Sequence, residues 1–301
     1  MRTLTYNIAA VERDTGLSKD VLRMWERRYG FPVPGRDANG DRAYSADQVD
    51  RLRLIKRLMD MGHRPGKLIA TPYEELAALA PRRATATPAM PDEHLAELDE
   101  LVELIRHHDG GSYLQAMQQR LARQGLQRFV QDTVAPLAHR VGEAWERGRV
   151  EVFEEHLFTE LTKRLLRQSI ATLPAGARRP RILLTTLPGE QHLLGLLMAE
   201  TLFALEGADC IPLGTQTPLL EIGRAATAHR ADVVALSFSM AFASRQIPPL
   251  LLQLRMGLHA GVELWAGGSG VVRLAETEGV VLMPTLDDAL AALAAWHASH
   301  S

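Results

Sequence analysis

Three hydrophobic rhythms follow one another along the chain. In the first stretch, Ile8–Val11 and then Val21, Leu22 and Trp25 lie at helical spacing, with Gly16 breaking the pattern and Ser18 standing where a helix N-cap belongs. This predicts a short helix, a tight turn and a second helix from Lys19 to about Arg28. Gly30-Phe31-Pro32-Val33-Pro34 is too proline-rich to continue a helix. Asn39-Gly40 is a hairpin turn signal, so residues 36–44 read as a β-wing. Ser45 then caps a helix over Ala46–Met61 carrying Val49, Leu52, Leu54, Ile55 and Leu58. After the proline-rich stretch Pro81–Pro91, a second rhythm begins. Leu95, Leu98, Leu101, Val102 and Ile105 form a helical stripe, and breaks at Asp109-Gly110-Gly111 and Gly125 divide residues 93–173 into four helices, about 93–107, 112–124, 126–147 and 150–173. The third rhythm alternates short apolar runs with helical ones. Strands are expected at Arg181–Thr186, Asp209–Leu213, Asp232–Phe238, Val262–Trp265 and Val280–Met283. Helices are expected at Gln191–Leu205, Pro218–Ala228, Ser244–Leu258, Val271–Glu278 and Leu286–Ala298. Repeated βα units of this length build a five-stranded parallel, flavodoxin-like sheet. The fold expected is therefore multidomain: a winged helix-turn-helix head (1–79), a flexible linker (80–92), a four-helix bundle (93–174) and an α/β domain (180–301).

Charge gives the head a direction. Residues 1–70 hold 14 Lys+Arg against 9 Asp+Glu, while the remainder holds 20 against 27. A basic head on an acidic body suits a polyanionic partner. Lys19, Arg23, Arg27, Arg28 and Tyr29 lie on or beside the second helix, and Arg36, Arg42 and Tyr44 lie on the wing, where they can reach phosphates. Trp25-Glu26-Arg27-Arg28-Tyr29-Gly30-Phe31-Pro32 and Gly40-Asp41-Arg42-Ala43-Tyr44-Ser45 resemble the recognition helix and wing of MerR-type transcription regulators. The resemblance covers about 70 residues and implies sequence-specific binding to double-stranded operator DNA by paired heads. The usual long dimerisation helix of that family is replaced here by the proline-rich tether, so self-association is expected from elsewhere in the chain.

In the α/β stretch, the strand ends carry the chemistry. Glu190 and His192 follow the first strand, Gly214-Thr215-Gln216-Thr217-Pro218 the second, Ser237 and Ser239 the third, and Gly267-Gly268-Ser269-Gly270 the fourth. Neither a Gly-x-Gly-x-x-Gly nor a Walker loop follows the first strand, which argues against a dinucleotide or ATP. Taken alone, Trp145, Glu155 and His156 read equally as a core tryptophan and surface helix residues. Glu190-x-His192-x-x-Gly195, Ser237-x-Ser239 and Gly267-Gly268, however, resemble cobalamin-binding domains of the methionine-synthase and mutase type. Trp145, nine residues, then Glu155-His156 resembles the helical cap of that family. The resemblance spans about residues 93–290. It implies His192 as the cobalt ligand from below, Glu190 orienting its imidazole, Gly195, Ser237, Ser239, Gly267 and Gly268 along a slot for the displaced nucleotide tail, and Trp145, Glu155 and His156 at the upper face.

The order of head, cap and cobalamin domain resembles the cobalamin-dependent MerR-type photoreceptor repressors of carotenoid and light-response genes. That resemblance implies a non-enzymatic repressor that binds adenosylcobalamin, assembles as a dimer or tetramer on its operator, and releases it when light breaks the cobalt–carbon bond. Glu190 replaces the family's usual Asp, and Ser239 its Leu. Glu146 stands where members with a second cobalt–histidine bond after illumination place a His, which leaves His139 as the nearby imidazole in sequence. Two other readings stay open on the sequence: a corrinoid carrier or enzyme subunit, and a cobalamin-independent regulator whose last domain binds a protein partner. A single cysteine, Cys210, excludes an internal disulfide framework and suits a reducing cytoplasm. No stretch reaches the ~18 apolar residues of a membrane span.

Overall fold

A computed structural model of the chain describes residues 5–37, 40–60, 63–73, 75–76, 92–173 and 178–300. They fall into two compact units, Met1–Ala86 and Thr87–Ser301. The tether expected at 80–92 lies, apart from Asp92, outside the described residues, as does Asn39 of the expected wing turn.

In the first unit, β1 (Thr5–Asn7) leads into α1 (Ile8–Thr15), followed by α2 (Lys19–Tyr29), β2 (Gly35–Arg36), β3 (Arg42–Ser45), α3 (Ala46–Asp60) and α4 (Pro65–Ala70). The Asn7 side chain caps α1, and Gly16 closes it at φ +68, a backbone state that costs glycine little. Ser18 Oγ accepts from the Val21 amide to start α2. The strands pair antiparallel in the order β1-β3-β2. Val11, Leu22, Trp25, Tyr44, Val49, Leu52, Ile55 and Leu58 are all buried in one core. Two elements were not expected. β1 is three residues long and pairs with a strand some 38 positions away. α4 starts on Pro65, a residue suited to the first turn of a helix.

The second unit opens with a helical bundle: α5 (Asp92–Arg106), α6 (Gly110–Gln124), α7 (Leu126–Arg128), α8 (Ala135–Glu146) and α9 (Val152–Ala171). The expected single helix over 126–147 is interrupted by a π-helical segment, Phe129–Val134. Pro136, lacking an N–H, follows directly, and such one-turn π segments mark breaks in the usual hydrogen-bond ladder. A capping box between Glu151 and Glu154 starts α9.

The α/β part runs β4 (Arg178–Thr185), α10 (Leu194–Leu205), β5 (Ala208–Gly214), α11 (Leu219–Ala228), β6 (Val233–Ser237), α12 (Ile247–Gly257), β7 (Glu263–Gly267), β8 (Val280–Met283) and α13 (Leu286–Ser299). All strands are parallel, in the order β5-β4-β6-β7-β8. Ile182, Leu183 and Leu184 are fully buried, as Val233–Ser237 are buried throughout, because helices cover both faces of the sheet. The expected helix over Val271–Glu278 is absent: only a 3₁₀ turn, Ser269–Val271, forms there. Leu197, Met198 and Leu202 of α10 belong to the same apolar cluster as Leu98, Phe129 and Phe158 of the bundle. Arg167 of α9 also pairs with the buried Glu200 of α10 at 2.8 Å. The bundle and the sheet layer thus share a core.

Candidate cofactor site and DNA-facing surface

The strand order places a topological switch between β4 and β6, the crevice where doubly wound sheets take ligands. Glu190 and His192 leave β4 there, and Ser237 and Ser239 leave β6. Leu187-Pro188-Gly189-Glu190 closes as a tight turn, with the Glu190 amide donating to the Leu187 carbonyl at 3.0 Å and Gly189 at φ +91. Proline second and a positive-φ glycine third is the sequence that a type II turn asks for. The turn drives the Glu190 side chain inward, to 1% exposure. Helix α10 begins only at Leu194, so His192 sits on the loop and not in the first helical turn.

Glu190 is fully used. Its Oε1 accepts from the His192 amide at 2.9 Å and from His192 Nδ1 at 2.7 Å, and its Oε2 accepts from the amide and the hydroxyl of Ser239, both at 2.8 Å. Ser239 Oγ also lies 3.0 Å from His192 Nδ1. Burial works against the Glu190 charge, but the hydrogen bonds from His192 and Ser239 outweigh it and hold its carboxyl below the usual range. The bond to Glu190 pushes the His192 imidazole up; burial opposes this, and the charges of Glu190 and Glu155 add to it. With Nδ1 committed, Nε2 has no partner among the described residues, and the ring is 61% exposed.

Three expectations about the slot change in the structure. Ser239 does not line it but supports Glu190, a contact between loops 49 residues apart that no local pattern announces. Gly195 lies inside α10, where a Cβ would stand 3.0 Å from Ser237 Oγ, and Ser237 is only 9% exposed; the pair is a close helix-to-strand contact. The bare surfaces of Gly267 and Gly268 are taken by the chain itself, because a Cβ would meet Met283 O at 3.2 Å and Phe238 O at 2.5 Å. On the cap, Trp145 is 37% exposed. Glu155 accepts from Thr159 Oγ1 at 2.8 Å, and His156 projects into solvent with Nε2 3.7 Å from Glu155. His139 lies 3.4 Å from Glu143 on its own helix. Among the described residues no three His, Cys, Asp or Glu side chains gather as a metal-binding group.

In the head, Arg23, Arg27 and Arg28 are exposed along α2, opposite buried Leu22 and Trp25. Lys19 pairs with Glu12 at 3.4 Å and Arg23 approaches Asp20 at 3.5 Å. Arg28 stacks over the Tyr29 ring, which rests near Gly66. Exposed Arg36 donates to Gly40 O at 2.9 Å. Arg42 braces the wing against α2 through Glu26 at 2.9 Å. Tyr44 cannot reach a phosphate: it is fully buried in the head core, with an unpartnered hydroxyl. Its place in the wing reflects core packing.

Residues 6–68 match the MerR HTH family regulatory protein model, and residues 97–168 match a B12 binding domain model. The HTH-type transcriptional repressor CarH of Myxococcus xanthus is 30% identical over 272 residues, covering 89% of this chain and 90% of that protein. The chain belongs to this repressor family. A second Myxococcus xanthus member, the HTH-type transcriptional repressor CarA, is 28% identical over 82% of this chain and 81% of its own. The Methanosarcina barkeri monomethylamine corrinoid protein shares the body's fold, with a TM-score of 0.53 and 16% identity over 65% of this chain and 96% of that one. As a member of the CarH-type repressor family, the chain is a MerR-type regulator that carries a cobalamin-binding body. No helix among the described residues is long and apolar enough to cross a membrane.

Proposed function

We propose that this regulator represses transcription in response to adenosylcobalamin and light, with His192 as its lower cobalt ligand. The observation that carries the reading is the Glu190–His192–Ser239 group. A carboxylate fixes Nδ1 as the protonated nitrogen, which leaves the Nε2 lone pair facing open space. That is the arrangement a metal-ligating histidine takes, with its second nitrogen held by a buried acid. One imidazole without companion ligands suits a metal that brings its own equatorial ring. When bound, adenosylcobalamin would supply that ring around cobalt and a light-sensitive cobalt–carbon bond. Glu190 and Ser239 orient the imidazole, and Trp145, Glu155 and His156 stand over the upper side. Ser237, Gly267 and Gly268 pack behind this group in close contacts of the chain with itself.

The output is DNA binding. Arg23, Arg27 and Arg28 present cations from α2, with Lys19, Tyr29 and Arg36 beside them, and Arg42 stiffens the wing. A head with so few contacts gains affinity when bodies assemble and present several heads to one operator. The protein acts in the cytoplasm as a regulator and not as an enzyme. Size and operator binding, compared in the dark and after illumination, test the reading. A larger species that holds DNA in the dark and falls apart in light is expected. An adenosylcobalamin-loaded protein whose mass and DNA affinity ignore light would reject the photoreceptor role.

A further inference from the structure

The loop Gly214–Pro218, at the end of β5, has no part in the site so far, yet it grips the turn that carries Glu190 and His192. The Gln216 amide donates to Thr186 Oγ1 at 2.9 Å, and that hydroxyl donates to the Glu190 carbonyl at 2.6 Å. Gln216 Oε1 accepts from the Gly189 amide at 3.4 Å. The Thr217 amide donates to Thr186 O at 3.0 Å, and Thr185 Oγ1 ties to Thr217 Oγ1 at 2.7 Å. The peptides on either side of Gly189-Glu190 are thus held, one by the Gln216 side chain and the other by Thr186, which the Gln216 amide in turn holds. Thr186 is fully buried. Gln216 has φ +63, a left-handed state that a residue with a Cβ adopts at a cost. A glycine at this position would avoid that cost. Held strain of this kind gathers at working sites, and here it falls on the residue whose side chain reaches Gly189.

We propose that Thr186 and Gln216 are positioning residues: they lock the peptide groups flanking Gly189-Glu190 and thereby set the presentation of His192 to cobalt. This rests on the ligand role proposed for His192. Without the Thr186 hydroxyl the Glu190 carbonyl and the Gln216 amide both lose their partner, and the turn is free to rock beneath an imidazole that depends on Glu190 for its direction. Changes to groups supporting a metal ligand typically weaken binding about 10–100-fold.

The test uses full-length protein grown with ¹⁵N-histidine and loaded with cobalamin, whose cobalt is then reduced by one electron. In electron paramagnetic resonance, coordination by a ¹⁵N imidazole splits each cobalt line into a doublet, and the cofactor's own ¹⁴N base gives a triplet. The wild type should give the doublet. Thr186→Val and Gln216→Gly should weaken cobalamin binding roughly tenfold and admit the triplet, while Thr186→Ser keeps the wild-type signal. Gln216→Gly should do this with an unchanged or higher melting temperature, because it relieves the backbone, an outcome that a purely structural role does not give. In the cofactor-free protein, amide exchange over residues 187–193 should quicken in Thr186→Val and Gln216→Gly. A wild-type triplet would overturn the ligand assignment and this inference with it. A wild-type doublet that both variants keep, with wild-type affinity and unchanged exchange, would overturn the positioning role alone.

Discussion

The two sides of the proposed cofactor site are built differently. Below, Glu190 is 1% exposed and accepts four hydrogen bonds from His192 and Ser239. Above, Trp145 is 37% exposed and His156 stands in solvent, and Glu155 bonds to Thr159 and lies beside His156 on its own helix. A preorganised lower side binds at little ordering cost. An open upper side is free to change its contacts when the ligand above the ring changes. On the proposed reading, the difference assigns affinity and response to opposite faces.

The largest effect that could break this comparison is at Glu190. Glu190→Ala leaves the partly buried donors on His192 and Ser239 without their acceptor, so denaturation of the cofactor-free protein should show a loss of about 1–3 kcal/mol. Cobalamin affinity should fall at least about tenfold. A variant that binds normally would mean that the buried acid serves folding only.

Asp232 supplies the control, because it is also a well-bonded acid but lies at the opposite end of the sheet. It accepts from the Arg181 amide at 2.8 Å and from the Arg179 guanidinium. Burial disfavours its charge, but those bonds and the Arg179 charge win and hold its carboxyl below the usual range. A depressed carboxylate adds stability that is present above its unfolded pKa and lost as pH falls through its folded one. Asp232→Asn should therefore be less stable at neutral pH, by about 1–3 kcal/mol. It should also lose less stability than the wild type on acidification below about pH 4, while cobalamin affinity stays unchanged. Equal damage to binding would show that any buried acid in the sheet matters, not the one at the switch point.

In the head, Arg27→Ala should weaken operator binding and reduce the salt dependence by about one phosphate contact, whereas Tyr44→Phe should leave DNA binding alone. Because the Tyr44 hydroxyl is buried without a partner, its removal should be neutral or stabilising by up to about 1 kcal/mol. A smaller effect than that at Glu190 belongs to the upper face. Trp145→Ala should cost the cofactor-free protein about 1–2 kcal/mol of stability, yet alter discrimination between adenosyl- and methylcobalamin. A loss as large as that at Glu190 would erase the contrast between the faces.

Much of this was legible in sequence for local reasons. The buried strands announce themselves as unbroken apolar runs, and Pro188-Gly189 dictates the turn that delivers His192. What escaped was non-local. β1 exists only because β3 offers it a partner, and no local pattern announces the π segment that precedes Pro136. Ser239 reads as slot lining until Glu190 is seen facing it. Tyr44 lies among basic wing residues, and only the packed head shows it turned inward. The helix expected at Val271–Glu278 fails because Gly268 and Gly270 are pressed onto the Phe238 and Ser239 backbone, which commits that loop to an irregular path.

The central claim is that His192 holds cobalt from below. Visible absorption of the full chain mixed with adenosylcobalamin in the dark tests it most directly, against His192→Ala at equal concentration. The account predicts a protein-bound corrinoid spectrum in the wild type, altered or lost in the variant. Superimposable wild-type and variant spectra, with equal affinity, would contradict it.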